Sequence, residues 1–176
     1  MSILTPIDLA TLAPEERRRL VRRSAVPDPD LRRGAADICA QVRTGGDAAV
    51  AEVAHRVGGG YRRVTETELD AATRSLSPEV TEALESAIHA VTEFHAAQLP
   101  ADLTVTTVPG VDLRRTWTPL RRIGAYVPGG KAAYPSSVVM TVAPARVAGV
   151  EEIVVASPAD DDGALSPEML AACRLA

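Results

Sequence analysis

The segment from Arg121 to Pro158 constrains the fold more than any other part of the chain, because strand-like and helix-like stretches alternate there with short links. It reads RRIGAYVP, GGKAAY, PSSVVMTVAPARVAGV and then EEIVVASP. Two strands that a single helix connects within one sheet run parallel, and such crossovers are almost always right-handed. The segment therefore predicts a β-α-β unit and an α/β fold class.

The sequence before this unit carries helical signals. Apolar residues recur at helical spacing from Leu31 to Val42, and again from Val50 to Val57. The TGGD stretch between the two stripes ends the first helix and offers Asp47 as the cap of the second. We therefore expect two helices here, each with one buried face.

Two further helix starts follow. Thr65 with Glu68 three residues later fits a capping box, and Ser77 followed by Pro78 fits a capped start with proline in the first turn. The second of these helices ends before Pro100. The first hundred residues are thus predicted to form an antiparallel helical layer.

A change of period marks the next region. Apolar and polar residues alternate from Leu103 to Thr107 and from Val111 to Trp117, with Pro109 and Gly110 between them, which predicts a β-hairpin. We therefore divide the chain into a helical N-terminal region, 1–100, and an α/β domain that begins at 101 and runs to 176.

The end of the chain affects the expected architecture. Ser166 and Pro167 start another helix, which reaches Ala176. A parallel sheet of two strands with an open edge is an unusual stopping point. We expect residues 101–176 to be the start of a truncated, incomplete Rossmann-like domain.

Composition excludes several classes of protein. The net charge is −4 and no basic face stands out, which argues against a nucleic-acid partner. The apolar stretches are too short to span a bilayer and the N-terminus has no signal core, so we expect a cytoplasmic protein with no membrane partner. Cys39 and Cys173 are isolated thiols, predicted to be small buried residues.

The turn after the first parallel strand has features of a ligand loop. Ligands of open α/β sheets lie at the carboxyl ends of strands, where a glycine turn allows close approach. Ser136 and Ser137 are expected to cap the next helix, and Lys131 adds positive charge, which together suit an anionic group. The stretch is neither a standard Walker A sequence nor GxGxxG. A structural β-α turn and an anion-binding loop both remain open.

Other candidate groups favour structural roles. His55, His89 and His95 are predicted to lie on helix faces, and the spacing of the last two does not suit metal chelation. The acidic run Asp160–Asp162 lacks calcium-loop spacing and is predicted to be a solvated loop. Trp117 is expected to serve packing. The residues show neither a catalytic set nor a metal site.

One family has a closely similar motif. The stretch IGAYVPGGKAAYPSSVVMTVAPARVAGV, Ile123 to Val150, resembles the hallmark of the histidinol dehydrogenases. GGDAAVAEVAHRVGG and AIHAVTEFHAAQLP are similar to two further segments of that family. HRVGGGY replaces the usual Phe-Asp-Gly ending of the first.

The resemblance implies a homodimeric enzyme of histidine biosynthesis that uses NAD and zinc and oxidises L-histidinol to L-histidine through an aldehyde. It implies that Tyr126 contacts NAD and that the backbone of Gly129 and Gly130 lies close to it. It gives Lys131 a supporting position without direct contact.

The same resemblance places the family's zinc ligands and its catalytic Glu-His pair beyond Ala176. We therefore assign no catalytic and no metal-binding residue to this chain, and expect it to be inactive alone. Two alternatives remain: an interaction or dimerisation module, including one half of a split enzyme, and an α/β domain that binds a different anionic ligand.

Overall fold

The computed structural model describes residues 7–21, 29–57, 59–129, 132–159 and 164–176. Helices and strands alternate as predicted in the second half, so the mixed α/β class is confirmed. The helices are α1 (Pro14–Val21), α2 (Pro29–Arg56), α3 (Glu66–Ser75), α4 (Pro78–Ala96), α5 (Pro135–Val147) and α6 (Pro167–Leu175). The strands are β1 (Leu103–Val108), β2 (Val111–Arg115), β3 (Arg122–Tyr126) and β4 (Glu152–Ala156).

The chain divides into two compact units, residues 1–53 and 54–176. In the first unit, the helical run is interrupted at Gly46, which has φ 57° and ψ −142°. Only glycine adopts such a conformation readily, so the predicted break between two helical segments is confirmed.

The apolar stripe of α2 is not a buried face. Helix α2 contains no buried residue: Leu31 is 70% exposed, Val50 and Val53 are half-buried, and Val57, just after the helix, is 72% exposed. Cys39 is also exposed, so its predicted burial is wrong. Helical periodicity identified the helix correctly but did not specify a partner that would cover its stripe.

The predicted caps of the later helices are present. The Thr65 hydroxyl accepts from the Glu68 amide and the Glu68 carboxylate accepts from the Thr65 amide, which completes the capping box. Ser77 caps α4 and Ser166 caps α6, each followed by proline. These local signals are reliable because they depend on neighbouring residues alone.

The core of the second unit lies where four helices meet one face of the parallel strands. Helix α3 packs on α6, α4 packs on α5, and α5 packs on α6, β3 and β4. The most buried side chains of this cluster are Leu84, Val127, Val138, Val139, Val142, Met169, Ala171 and Ala172. Since Ala171 and Ala172 are fully buried, the last helix is packed into this core.

Two separate two-stranded sheets are present among the described residues. Strands β1 and β2 pair antiparallel, with Val105 opposite Leu113. Strands β3 and β4 pair parallel, with Tyr126 opposite Ala156, and α5 connects them as predicted. None of the described helices is long and apolar enough to cross a membrane.

Candidate functional site

The candidate site lies at the carboxyl end of β3. Ala125 is 6% exposed and Val127 is fully buried toward α5, whereas Tyr126 between them is 69% exposed. The Val127 amide donates a 2.9 Å hydrogen bond to the Ala156 carbonyl, which keeps the two strand ends together. Strand alternation thus directs the Tyr126 ring to the face of the sheet opposite α5.

Gly129 fixes the distance between the loops that follow the two parallel strands. A Cβ at this position would lie 2.5 Å from the Pro158 carbonyl oxygen and 2.6 Å from the Ser157 hydroxyl oxygen. Position 129 therefore requires glycine, because a side chain there would overlap with the loop that follows β4. Gly130 and Lys131 lie outside the described residues.

Helix α5 begins without the predicted serine cap. Its N-cap residue is Tyr134, which makes no side-chain capping bond, and Pro135 occupies the first turn. The cap prediction for Ser136 and Ser137 is wrong because the N-cap is Tyr134, two residues before Ser136, and the first turn of the helix contains both serines. The Ser137 amide donates to the Tyr134 carbonyl at 3.0 Å, and the described residues offer the Ser136 amide no acceptor.

The first turn of α5 has the electrostatic properties that suit an anion. Pro135 has no amide hydrogen, the Ser136 amide is available, and the helix dipole places partial positive charge at this end. The turn lies between β3 and α5 at the carboxyl end of the strands. These features can bind and orient an anionic group, which is a positioning function.

Groups with shifted pKa values lie elsewhere. Hydrogen bonds from the Thr65 amide, the Arg62 guanidinium and the Thr65 hydroxyl lower the pKa of Glu68. The pKa of Glu79 is lowered by its own backbone amide and by the Ser77 hydroxyl. Burial raises the pKa of Cys173 to about 11, which keeps this thiol protonated near neutral pH. Glu68, Glu79 and Cys173 lie on α3, α4 and α6, so none of these groups belongs to the turn after β3.

Across the described ranges, no cluster of three or more His, Cys, Asp or Glu side chains could hold a metal ion. Residues His89 and His95 lie on α4, as predicted, and the His95 ring contacts Phe94 edge to face. The acidic run Asp160–Asp162 lies outside the described residues. The residues at the turn therefore do not fit a zinc site.

Among the predicted cofactor-binding residues, Tyr126 and Gly129 lie at the same end of the sheet. Sequence reasoning missed Ser157 and Pro158, whose oxygen atoms would lie within 2.6 Å of a Cβ at Gly129. The predicted parallel pairing of β3 and β4 could have indicated this contact, because the carboxyl ends of neighbouring parallel strands lie at one edge of the sheet.

Comparison with known proteins gives consistent matches. The family model described as "Histidinol dehydrogenase" matches residues 21–176. The histidinol dehydrogenase of Leifsonia xyli is 44% identical over 176 residues, covering 96% of this chain and 40% of that protein. That of Parasynechococcus marenigrum is 41% identical, covering 93% and 38%.

A solved structure agrees with these sequence matches. The crystal structure of histidinol dehydrogenase from Elizabethkingia anophelis superposes with a TM-score of 0.76 and 27% identity. It covers 93% of this chain, while the matched part is 39% of that structure. The chain thus spans about two-fifths of the length of the relatives that it matches.

Proposed function

Because the chain belongs to the histidinol dehydrogenase family, we propose that it forms the NAD-binding part of an enzyme that oxidises L-histidinol to L-histidine. The observation that carries this proposal is the exposed Tyr126 at the carboxyl end of a parallel strand. In open α/β sheets this is the edge at which cofactors bind.

The residues of the turn would have separate functions. The exposed Tyr126 ring offers an aromatic face for packing and a hydroxyl for hydrogen bonding. The uncapped first turn of α5 favours a phosphate group. Gly129 keeps the loops after β3 and β4 in contact, so that the Tyr126 ring and the first turn of α5 keep their positions.

Bound NAD supplies the hydride acceptor. This chain's own residues would bind and orient the cofactor and limit the access of water to one side of it. The residues described do not fit zinc, so we assign no metal-dependent step to them. We further propose that residues 101–176 begin a Rossmann-like domain, that 1–100 are a helical N-terminal region whose helices α3 and α4 pack on it, and that the complete enzyme is a homodimer.

We expect the 176-residue chain alone to produce no NADH from histidinol and NAD⁺. The turn provides binding groups, and its described residues, 126–129, 132–137 and 156–159, include no His, Asp or Glu for proton transfer. The assay is absorbance of NADH with purified chain and saturating substrates. NADH formation in proportion to the amount of chain would contradict this expectation.

A chimera tests the role of Tyr126 in turnover. Residues 1–176 are joined to the remaining part of the Leifsonia xyli relative, and Tyr126→Ala is compared with the parent chimera. We expect a higher KM for NAD⁺ with a smaller change in kcat, because Tyr126 would contribute to binding more than to the chemical step.

Matched variants make this test specific. Tyr61→Ala changes another exposed tyrosine, which lies before α3 and far along the chain from the turn, and it should leave both constants unchanged. Tyr126→Phe should retain the contribution of the ring. A large loss of kcat at saturating NAD⁺, with KM unchanged, would contradict the proposed role.

A further inference from the structure

Ser157 immediately follows β4 and lies at the same edge of the parallel sheet as Tyr126. Tyr126 pairs with Ala156, and the Val127 amide donates a 2.9 Å hydrogen bond to the Ala156 carbonyl, so the two strands end side by side. Neighbouring strands of a sheet are about 4.7–4.9 Å apart. A ligand that is held at the end of β3 therefore lies within reach of Ser157.

The Ser157 hydroxyl lies against the glycine turn. Its oxygen would be 2.6 Å from a Cβ at Gly129, which places the hydroxyl next to the backbone of that turn. The contact joins two loops of this chain, and it follows from the register of β3 and β4. The strands that position Tyr126 thus position the Ser157 hydroxyl as well.

Strand alternation places Ser157 on the side of the sheet that α5 covers. Val155 packs against the core on that side, and residue 157 is two positions further along the same direction. Helix α5 follows β3, so its first turn lies at this end of the sheet. Ser157 and the first turn of α5 are therefore on one side of the strand ends, and Tyr126 is on the other.

Ser157 also carries the hydrogen-bonding side chain of this edge. The described residues of the loops after β3 and β4 are 127–129 and 157–159, and among them only Ser157 has a polar side chain. Within the described part of the chain, its hydroxyl donates only to the Pro158 carbonyl, at 3.3 Å, which is long for a hydroxyl donor. The oxygen keeps its capacity to accept, and its proton can turn to a better acceptor.

We propose that the Ser157 hydroxyl binds a hydroxyl group of the adenosine ribose of NAD. This inference rests on the proposed function, because it assigns one further contact within the same cofactor site. In a β-α-β unit that binds a dinucleotide, the phosphates lie at the start of the helix and the end of the second strand contacts the ribose. Strand β4 is that second strand, and Ser157 is the first residue after it.

A neutral hydroxyl at this position suits a sugar better than a second phosphate. A serine hydroxyl both donates and accepts, as each ribose hydroxyl does, so the two groups can bond in either direction. Residues 157–159 carry no positive charge that would balance a phosphate. The partial positive charge lies instead at the first turn of α5, which leaves the sugar for the end of β4.

The test is a thermodynamic cycle between one side chain and one hydroxyl of the cofactor. Ser157→Ala and the parent 176-residue chain are titrated in a calorimeter with NAD⁺ and with its 2′-deoxy and 3′-deoxy analogues in the adenosine ribose. We expect Ser157→Ala to raise the Kd for NAD⁺ about three- to tenfold, the effect of losing one hydrogen bond. One of the analogues should bind the parent more weakly by a similar factor, yet should bind Ser157→Ala as well as NAD⁺ does.

Two further variants serve as controls. Ser75→Ala removes another serine hydroxyl, which donates to the Ala72 carbonyl at the end of α3, and it should leave every Kd unchanged. Tyr126→Ala reports on the proposed cofactor site itself and should weaken NAD⁺ and both analogues by equal factors. Circular dichroism and urea unfolding check that each variant remains folded.

The outcomes separate this contact from the proposed function. If Tyr126→Ala weakens NAD⁺ binding while Ser157→Ala leaves the Kd unchanged, the ribose contact is wrong and the cofactor site stands. If Ser157→Ala weakens NAD⁺ and both analogues equally, the hydroxyl has no partner in the ribose, and the contact is again wrong. If the parent chain binds no NAD⁺, the cofactor site and the contact both fail.

Discussion

The two sheets of the second unit have strands of similar length but differ in the burial of their side chains. In the β1–β2 hairpin every side chain is exposed, whereas β3 and β4 direct one face into the core through Ala125, Val127, Ile153 and Val155. Helix α5 makes the difference, because it returns over the sheet and covers that face. A crossover connection brings its own covering layer, while a hairpin turn does not.

Each sheet has one uncovered apolar surface, and the two surfaces differ in their surroundings. At the end of β3, Tyr126 lies beside a glycine turn and an uncapped helix start, which together favour a small anionic ligand. Neither β1 nor β2 leads into a helix, so the hairpin offers no helix N-terminus for an anion. This difference supports the proposal that a ligand binds at the parallel sheet.

The largest effect is expected from matched truncations in the two sheets. Val127→Ala removes two methyl groups from a fully buried site and should lower the free energy of unfolding by about 2 kcal/mol. Val105→Ala, at a position 44% exposed, should change it by about 0.5 kcal/mol or less. Urea unfolding at a low protein concentration measures both. Equal losses would contradict the difference in burial.

Alanine substitution at two glycines, one in β3 and one in the loop after it, should give the next largest difference in the free energy of unfolding. Gly129→Ala places a methyl group 2.5 Å from the Pro158 carbonyl oxygen, and relief of that overlap should cost about 1–3 kcal/mol. Gly124→Ala meets no atom within 4 Å and should stay within about 0.5 kcal/mol. Thermal or urea unfolding of the two variants checks the difference. A neutral Gly129→Ala would show that the two loops are not held in contact.

Cys173 reports burial in the same core through its titration. Its pKa is raised from 9.0 to about 11, so from pH 9 to 11 the unfolded chain releases a proton that the folded chain retains. Stability should therefore fall with rising pH across this window, and Cys173→Ala should reduce that fall. Urea midpoints at pH 8 and 10.5 measure it.

The exposed Cys39 supplies the control for this measurement. Cys39→Ala should follow the parent chain at both pH values, since that thiol lies outside any buried cluster. Parallel pH dependence of the parent chain and Cys173→Ala would contradict the burial of the Cys173 thiol.

The smallest effect is expected at the exposed capping box of α3. Because the bonds from Thr65 and Arg62 lower the pKa of Glu68, they stabilise the fold above about pH 4.5, and this contribution is lost as the pH falls through the lowered value. The stability difference between the parent chain and Glu68→Gln should therefore shrink below pH 4.5. Urea unfolding at pH 7 and pH 3.5 tests this. An unchanged difference would show that the carboxylate charge does not matter.

The local structure was largely predictable from the sequence. The caps at Thr65, Ser77 and Ser166, the hairpin and the parallel β-α-β unit all depend on nearby residues, and each is present. Burial was not predictable in the same way. The stripes of α2 and the alternation of β2 have the pattern of covered surfaces, but a pattern does not specify the partner.

The candidate site shows the same limit. Tyr126 was identified through a family motif, and the contact of Gly129 with Ser157 and Pro158 became visible only when the register of β3 and β4 was known. The start of α5 was misplaced because two serines after a proline look like a cap, whereas Tyr134 takes that position. Helix ends fray, and a displacement of one or two residues is within the usual uncertainty of a helix boundary.

The most direct test of the account is hydrogen exchange of the 176-residue chain with and without NAD⁺, read by mass spectrometry on peptides from each sheet. We expect slower exchange in 126–129 and 156–159 when NAD⁺ is present, with no change in 103–115. Slower exchange confined to the hairpin, or no change in either sheet at saturating NAD⁺, would contradict the assignment of cofactor binding to the parallel sheet.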